Sequence, residues 1–409
     1  MSDGDGVAGP DRPVGPDGLD GEAPGRAVLA TAAAGNLAQL GARFMISPVV
    51  PLVLVAFDAS KSQVGLALTG MWGVYALLQF PSGVLADRIG ERPLVLVGLG
   101  GATLGAALVA LAPSLPLFGL FALVLGAATG LFFSPVSSLL SRLYASRGSA
   151  LGALTAGGAV AGVAYPALGG LIGARFGWRA AVAVGAVVAL PVVIASARVL
   201  PRLPPANPER SLRALVDPGP LLDLLTRPGV AFTAGLSVLT GFTFQAFSSF
   251  FPTFLVEFRG LTTGEAGIAF GAAFALSAVA QPTAGRLSDV TSRDLLIATS
   301  VTLAGSGLVV LLFVPGLAGL AAGTALLGVG FSWPGPLQAR VMDQFADAER
   351  GFGFGLVRTA YMLLAAPGSA IVGALADTSG WVLGYGVVVA LLAACLLALG
   401  ANRALGLGL

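Results

Sequence analysis

Long apolar stretches alternate with short polar breaks along almost the whole chain. Each stretch holds about 20 or more mostly apolar residues, which is the length that a helix needs to cross roughly 30 Å of hydrocarbon. The stretches are continuous, whereas the strands of a membrane barrel alternate apolar and polar positions over about ten residues. The pattern therefore predicts twelve transmembrane helices, over residues 27–57, 64–86, 93–112, 116–140, 148–174, 178–200, 229–256, 264–286, 294–314, 317–341, 351–376 and 380–402.

The longest polar break, residues 201–228, is rich in proline and divides the predicted helices into six plus six. We therefore predict an N-terminal bundle at 27–200, a linker at 201–228 and a C-terminal bundle at 229–402. Residues 1–26 are rich in Gly, Pro and Asp and lack hydrophobic periodicity, so they are expected to form a disordered tail. Residues 403–409 are predicted to form a short C-terminal segment.

The composition supports a lipid environment for most of the chain. Of the 409 residues, 56% are hydrophobic and 10% are charged, whereas soluble domains carry about 25% charged residues. Nucleic-acid binders, secreted disulfide scaffolds and cytosolic enzymes are disfavoured, because a soluble fold cannot bury so much apolar surface. The single cysteine, Cys395, and the absence of histidine argue against a metal cluster and a cofactor. We expect no enzyme activity.

The placement of basic residues predicts the orientation in the membrane, because Lys and Arg concentrate in cytoplasmic loops. Sixteen of them fall on the side that would hold both termini, and four fall on the other side: Lys61, Arg175, Arg179 and Arg259. The tail, the linker and the C-terminus are therefore expected to be cytoplasmic. Arg43 and Arg358 are the two that remain within predicted helices.

The two groups of helices repeat each other at a nearly constant offset. Residues 83–88 (GVLADR) correspond to residues 285–290 (GRLSDV), 202 positions later, and the Gly-Trp pair at Gly177 corresponds to the pair at Gly380. A repeat unit with an even number of helices places both halves in the same orientation. The expected architecture is two halves related by an axis along the membrane normal, with a cavity between them.

Residues 83–92 (GVLADRIGER) closely resemble the Gly-x-Leu-Ala-Asp-Arg-x-Gly-Arg-Lys signature between helices 2 and 3 of the major facilitator superfamily. A weaker copy at 285–293 lies where that family has its second one. The resemblance implies an all-α, polytopic membrane protein of two pseudo-symmetric six-helix bundles. It also implies that these motifs lock and release the cytoplasmic helix ends; a simpler interpretation is a turn with basic anchors. The implied gating residues are Gly83, Asp87, Arg88, Arg92, Gly285, Asp289 and Arg293.

Predicted helix 5 ends in Tyr165-Pro166-Ala167-Leu168-Gly169-Gly170, similar to the tail of a Gly-Pro-x-x-Gly-Gly pattern in the family's antiporters. Tyr165 replaces the Gly before Pro, and a bend with small packing residues explains the pattern equally well. Every acid falls in a predicted loop or helix end, with Asp58 and Glu257 nearest the cavity on the outer side. Obligatory proton coupling is therefore not expected, because such carriers need an ionisable acid at the cavity.

The candidate binding residues are polar or aromatic side chains inside the predicted helices. Arg43 is expected to face a water-filled cavity, because placing an arginine in the lipid near the membrane centre costs about 2.5–3.5 kcal/mol of free energy. A guanidinium beside amide and phenol groups suits a carboxylate or phosphate. Alternatively, Arg43 holds the helices together, Arg358 serves as an interface anchor, and the aromatic residues sit at the lipid interface. The candidates are Asn36, Gln39, Arg43, Tyr75, Gln79, Tyr165, Gln245, Trp333, Arg358 and Tyr361.

These features favour a secondary active or facilitative transporter of a small solute, an organic anion in the leading hypothesis, working by rocker-switch alternating access. One alternative is a multidrug exporter of hydrophobic compounds, and another is a non-transporting membrane receptor or scaffold. The expected partners are a small-molecule substrate and the lipid bilayer, with no nucleic acid. We expect a monomer that spans the cell membrane many times, with both termini cytoplasmic.

Overall fold

The computed structural model describes residues 25–209, 219–346 and 350–409. Within these ranges every regular element is helical, and twelve helical segments are long and apolar enough to cross a membrane, which confirms the predicted all-α fold. Residues 1–24 of the tail predicted at 1–26, and the linker centre at 210–218, lie outside the described residues; Arg26 begins the first helix. The segments, numbered α1 to α12, are Arg26–Phe57, Lys61–Ile89, Glu91–Ala110, Leu115–Leu143, Arg147–Phe176, Trp178–Val199, Pro228–Arg259, Thr263–Val290, Arg293–Phe313, Gly316–Asp343, Phe352–Thr378 and Gly380–Ala404.

Four of these segments contain a break in the helix. These breaks were not predicted, because the prediction rested on the length of the apolar runs alone. Segment α1 consists of helices Arg26–Phe44 and Val50–Phe57, joined by the 3₁₀ turn Ser47–Val49. Proline lacks an amide hydrogen and disrupts the preceding turn, and two prolines fall at this junction. The remaining breaks join Leu115–Gly130 to Phe133–Leu143 in α4, Gly316–Gly330 to Pro334–Asp343 in α10, and Arg350–Ala365 to Gly368–Thr378 in α11.

The repeat predicted from sequence continues into the helix caps. Ser60 and Gln63 form a capping box at the start of α2, and Thr262 and Glu265 form the same box at the start of α8. The residues are again 202 positions apart. In such a box the hydroxyl and the amide or carboxylate each satisfy a backbone N–H that the first turn leaves free. The linker also contains a short helix, Gly219–Leu225.

Because the number of spans is even, the start of α1 and the end of α12 lie at the same end of the bundle. We call this end the terminal face and the other end the opposite face. Large apolar side chains point outward along the bundle, for example Val187 (68% exposed) and Leu397 (73% exposed). An apolar exterior of this kind is expected where lipid replaces water.

The two halves pack against each other through α5 on α8 and α2 on α11. Glycines make the α5–α8 contact close: a Cβ added to Gly170 would lie 2.7 Å from the Thr263 oxygen, and one added to Gly267 would lie 2.5 Å from the Pro166 oxygen. Small residues of this kind allow helix backbones to approach within membranes. These contacts belong to the part of each helix nearest the opposite face, so the halves are joined most tightly there.

Candidate functional site

A chain of hydrogen bonds runs along one side of α1, where sequence spacing placed a polar stripe. Asn36 donates to the Leu154 oxygen of α5 at 2.8 Å, Gln39 donates to Asn36 Oδ1 at 2.8 Å, and Arg43 Nη2 donates to Gln39 Oε1 at 3.1 Å. All three side chains are buried. The structure thus brings the predicted stripe together and anchors it to a neighbouring helix.

Arg43 is 1% exposed and lies between two aromatic rings of α2. Its Cζ atom is 3.9 Å from the centre of the Tyr75 ring and 4.7 Å from the centre of the Trp72 ring. Aromatic faces attract a guanidinium, and the attraction is strongest away from water. Two nitrogens, Nε and Nη1, have no hydrogen-bond partner. Aromatic rings therefore compensate this charge, whereas the sequence had predicted a water-filled cavity around it.

Two adjoining cavities lie between the halves. The first has a volume of about 410 Å³, is bounded by α2, α4 and α11, and reaches the terminal ends of those segments near Asp87 and Phe352. The second has a volume of about 250 Å³ and extends between α2, α7, α10 and α11. Both are lined by Phe354 and Arg358. Arg358 therefore stands where the two cavities meet.

The predicted binding residues fall into two sets. Gln79 lines the first cavity, Arg358 lines both, and Gln245, Trp333 and Tyr361 line the second. The other five line neither cavity: Asn36, Gln39, Arg43, Tyr75 and Tyr165. Substrate contact by all ten residues remains a prediction, and for Arg43 it requires that Trp72 or Tyr75 move.

Tyr165 packs its ring directly on Gly41 of α1, where any added Cβ would collide with the ring. The side chain is 4% exposed, and its hydroxyl has no hydrogen-bond partner. In this conformation Tyr165 therefore serves helix packing, next to the polar stripe of α1.

The two arginines carry positive charge without a paired acid. Among the described residues, no ion pair involves Arg43 or Arg358. The Arg358 Cζ atom lies 5.5 Å from the centre of the Phe133 ring, and Arg358 Nε has no hydrogen-bond partner. Apart from Asp87 near the terminal face, the described lining of both cavities contains no acid. The described lining of the second cavity therefore carries one positive charge and no negative charge.

The first copy of the gating motif lies beside the first cavity. A Cβ added to Gly83 would lie 2.7 Å from Ser134 Oγ, so this glycine does permit a close approach of α4. Asp87 lines the cavity, and its backbone oxygen accepts a 2.7 Å hydrogen bond from Asn207 of the linker. Arg88 is exposed, and Arg92 donates to the Ala197 oxygen at the end of α6.

The second copy differs from the first in its packing. A Cβ added to Gly285 would have no neighbour within 4 Å, so no close helix contact depends on this glycine here. Arg293 pairs with Asp289 and, at 3.3 Å, with Asp343. The second copy therefore ties α8, α9 and α10 together within one half.

Sequence reasoning missed a buried ion pair next to the first copy. Glu91 is 1% exposed and accepts hydrogen bonds from Arg142 Nη1 at 2.8 and 3.0 Å and from Ser138 at 3.1 Å. Arg142 also donates to the Pro204 oxygen of the linker at 2.9 Å. The sequence contains one indication of this pair. Glu91 follows the glycine that ends α2 and is the first residue of α3, where an acid is favourable next to the helix N-terminus.

A second missed group closes the opposite face, and we name it the opposite-face clasp: Lys61, Glu257, Asp377 and Trp381. Lys61 Nζ lies 3.2 Å from Glu257 and 3.4 Å from Asp377, and Trp381 Nε1 donates to Glu257 at 3.0 Å. The Asp377 carboxylate also accepts from the backbone N–H groups of Lys61 and Ser62 at 3.1 and 2.7 Å. It therefore caps α2 of the other half.

Twelve spans in two repeated halves, with cavities between them, define a class of polytopic membrane protein by architecture. The family model described as Major Facilitator Superfamily matches residues 32–276 and 233–404. The chain belongs to the major facilitator superfamily, as its gating motif indicated, and it is a multi-pass membrane protein.

Relatives within the family are diverse. The chain is 27% identical over 230 residues to the "Uncharacterized MFS-type transporter YceJ" of Bacillus subtilis (strain 168), covering 55% of this chain and 57% of the relative. It is 23% identical over 227 residues to the "Hexuronate transporter" of the same organism, covering 54% of each. The chain thus spans about half the length of these curated relatives.

Solved structures share the fold at lower identity. The structure of "nucleoside transporter NupG" superposes with a TM-score of 0.77 at 14% identity, covering 92% of this chain and 99% of that one. The structure of "D-xylose-proton symporter" superposes with a TM-score of 0.75 at 16% identity, covering 92% and 96%. Such likenesses show the fold alone.

Proposed function

We propose that the protein transports a small organic anion across the cell membrane by rocking its two halves about the central cavities. The observation that carries this proposal is the pair of arginines without ion-pair partners, Arg358 at the junction of the cavities and Arg43 behind Trp72. An arginine can hold a carboxylate through two parallel hydrogen bonds. A neutral or cationic solute would leave both arginines without an acidic partner in a region of low polarity.

Alternating access is supported by the difference between the two faces. The halves are joined at the opposite face by the clasp and the α5–α8 glycine contact, while the cavities reach the terminal face. Rocking would separate the clasp and close the terminal face around the gating motifs. We place the terminal face in the cytoplasm, because it receives most of the basic residues.

Export of hydrophobic compounds is a second candidate, and one observation favours it. The second cavity presents aromatic and apolar side chains, among them Phe244, Trp333 and Met362. A hydrophobic drug would be held by these walls alone, so its binding would not depend on Arg358. The dependence of binding on that arginine therefore separates the two candidates.

The test compares ligand-induced stabilisation of the purified protein and of an Arg358→Gln variant. The probes are lactate, benzoate, glycerol 3-phosphate, xylose and the cation tetraphenylphosphonium. A ligand that binds the native state raises the unfolding temperature by mass action. We expect stabilisation by one or more carboxylates, followed by their uptake into liposomes, with both effects lost in the variant.

The matched control is Arg403→Gln, which removes an exposed arginine outside both cavities and should leave binding unchanged. Stabilisation by tetraphenylphosphonium alone would overturn the anion proposal in favour of the second candidate. Equal stabilisation of the wild type and Arg358→Gln by carboxylates would remove Arg358 from the site.

A further inference from the structure

Trp72, Phe244 and Trp333 line the second cavity and connect through the ring of Phe331, which does not itself line it. The ring centres of Trp72 and Phe244 are 6.4 Å apart at 76°, those of Phe244 and Phe331 are 6.2 Å apart at 87°, and those of Phe331 and Trp333 are 4.7 Å apart at 54°. Tyr361 contributes another aromatic side chain to the same cavity. Tilted and edge-to-face pairs of this kind are the favourable geometries for aromatic rings. A flat ring entering the cavity would extend the existing set.

Two unpaired polar groups mark different depths of this cavity. Arg358 lines its terminal end and has a free Nε, and Gln245 lines it with a buried Oε1 that has no hydrogen-bond partner. Gln245 is 3% exposed, so its oxygen has little access to bulk water. A buried acceptor without a donor is costly, and a ligand that supplies the donor removes this cost.

The separation of the two groups follows from helix geometry. Gln245 packs beside Gly368 and Ser369 of α11, and Gly368 comes ten residues after Arg358. Because a helix rises 1.5 Å per residue, Gln245 lies about 15 Å deeper along the bundle than Arg358. Trp72, Phe244, Trp333 and Tyr361 line the same cavity as Arg358 and Gln245.

The geometry points to an aromatic monocarboxylate with a hydroxyl group on the far side of its ring as the transported solute. The carboxylate pairs with Arg358, the ring enters between Trp72, Phe244 and Trp333, and the hydroxyl donates to Gln245 Oε1. This inference rests on the proposed anion transport and narrows it to one substrate class. The cavity volume of about 250 Å³ is below the roughly 300–1,000 Å³ of pockets for drug-sized ligands, which favours a solute with a single ring.

The experiment measures dissociation constants for four probes with the purified full-length protein: 4-hydroxybenzoate, benzoate, lactate and phenol. We expect 4-hydroxybenzoate to bind most tightly, benzoate about tenfold more weakly, and lactate and phenol more weakly again. This ranking in the wild type requires no variant to fold. Gln245→Met should abolish the advantage of 4-hydroxybenzoate over benzoate, because it removes the acceptor and keeps the side-chain length.

Arg358→Gln should weaken both aromatic carboxylates by about tenfold or more while leaving phenol unchanged. Arg403→Gln is the matched control and should preserve every constant.

The possible failures are distinguishable. If lactate binds as tightly as benzoate and depends on Arg358, the aromatic inference is overturned while anion transport stands. If phenol binds as tightly as 4-hydroxybenzoate and Arg358→Gln changes neither, anion transport itself is overturned. If Gln245→Met keeps the full preference for 4-hydroxybenzoate, the contact between the hydroxyl and Gln245 is refuted.

Discussion

At the residue scale, Arg43 shows how a membrane helix can hold a charge without water and without an acid. The sequence indicated that the charge had to be compensated, because an arginine at that depth is costly. It could not indicate the form of compensation, because Trp72 and Tyr75 belong to α2 and their approach depends on how two helices pack. The hydrogen bond from Arg43 to Gln39, in contrast, was readable from spacing within one helix.

This arrangement predicts that the Tyr75 ring stabilises the fold through its face and not through its hydroxyl. Tyr75→Leu should lower the free energy of unfolding by about 2 kcal/mol or more, because it removes a cation–π contact away from water. Tyr75→Phe keeps the ring and should remain near the wild type. Unfolding of both variants in mild detergent measures the difference.

A loss of stability in Tyr75→Phe equal to that in Tyr75→Leu would instead assign the effect to the hydroxyl group. Arg43→Met offers a second comparison, because an apolar side chain of similar length leaves no buried charge. In the Arg43→Met background, Tyr75→Leu should lower the free energy of unfolding by less than it does in the wild type.

At the element scale, the sequence predicted the number of helices, their order and the repeat that relates the halves. The repeated glycines illustrate why: Gly177 and Gly380 both adopt positive φ, +83° and +80°, a conformation that glycine adopts at little cost. The breaks within α1, α4, α10 and α11 were not predicted, because hydropathy averages over a turn of irregular backbone. The clasp was missed because Lys61, Glu257 and Asp377 lie more than 100 residues apart in sequence, and Lys61 meets the other two only when the halves close.

The clasp leads to a prediction about the balance between conformations. Lys61→Met removes the cation between Glu257 and Asp377, so conformations open at the opposite face should become more populated. A partly exposed ion pair contributes up to about 1 kcal/mol, which corresponds to about a fivefold change in the equilibrium constant. Lys61→Arg keeps the charge and should resemble the wild type.

The readout is maleimide labelling of Thr69→Cys in a background where Cys395 is replaced by alanine. The Thr69 hydroxyl of α2 donates to the Ala366 oxygen and accepts from the Ala370 N–H of α11, both at the contact between the halves, so labelling at position 69 reports their separation. If labelling is equally slow in the protein that retains Lys61 and in the Lys61→Met variant, the clasp does not hold this face closed.

At the scale of the whole molecule, the fold could be predicted almost completely, whereas the arrangement of the site could not. Fold class follows from apolar length and repeat, which are local properties of the chain. The site depends on which side chains of α1, α2, α7, α10 and α11 meet between the halves. Sequence spacing therefore identified ten candidates, of which five line the two cavities in this conformation.

The orientation of the molecule is open to a direct test with cysteines. In the Cys395→Ala background, Leu407→Cys places a thiol at the terminal face and Leu317→Cys places one at the opposite face; the native side chains are 52% and 79% exposed. In intact cells, a membrane-impermeant maleimide should label position 317 and not position 407, because the basic residues favour a cytoplasmic terminal face. Cell lysis should make both positions reactive, and the reverse pattern in intact cells would invert the proposed topology.

The clasp also gives this molecule a built-in chemical reporter. Lys61 is the only lysine in the sequence, and its amine is held between two carboxylates when the opposite face is closed. Acylation requires a reagent to reach the amine, and in the closed clasp Glu257, Asp377 and the Trp381 ring surround it. The acylation rate at this side chain should therefore follow each opening of the opposite face, so that transport could be observed in the native protein without an introduced label.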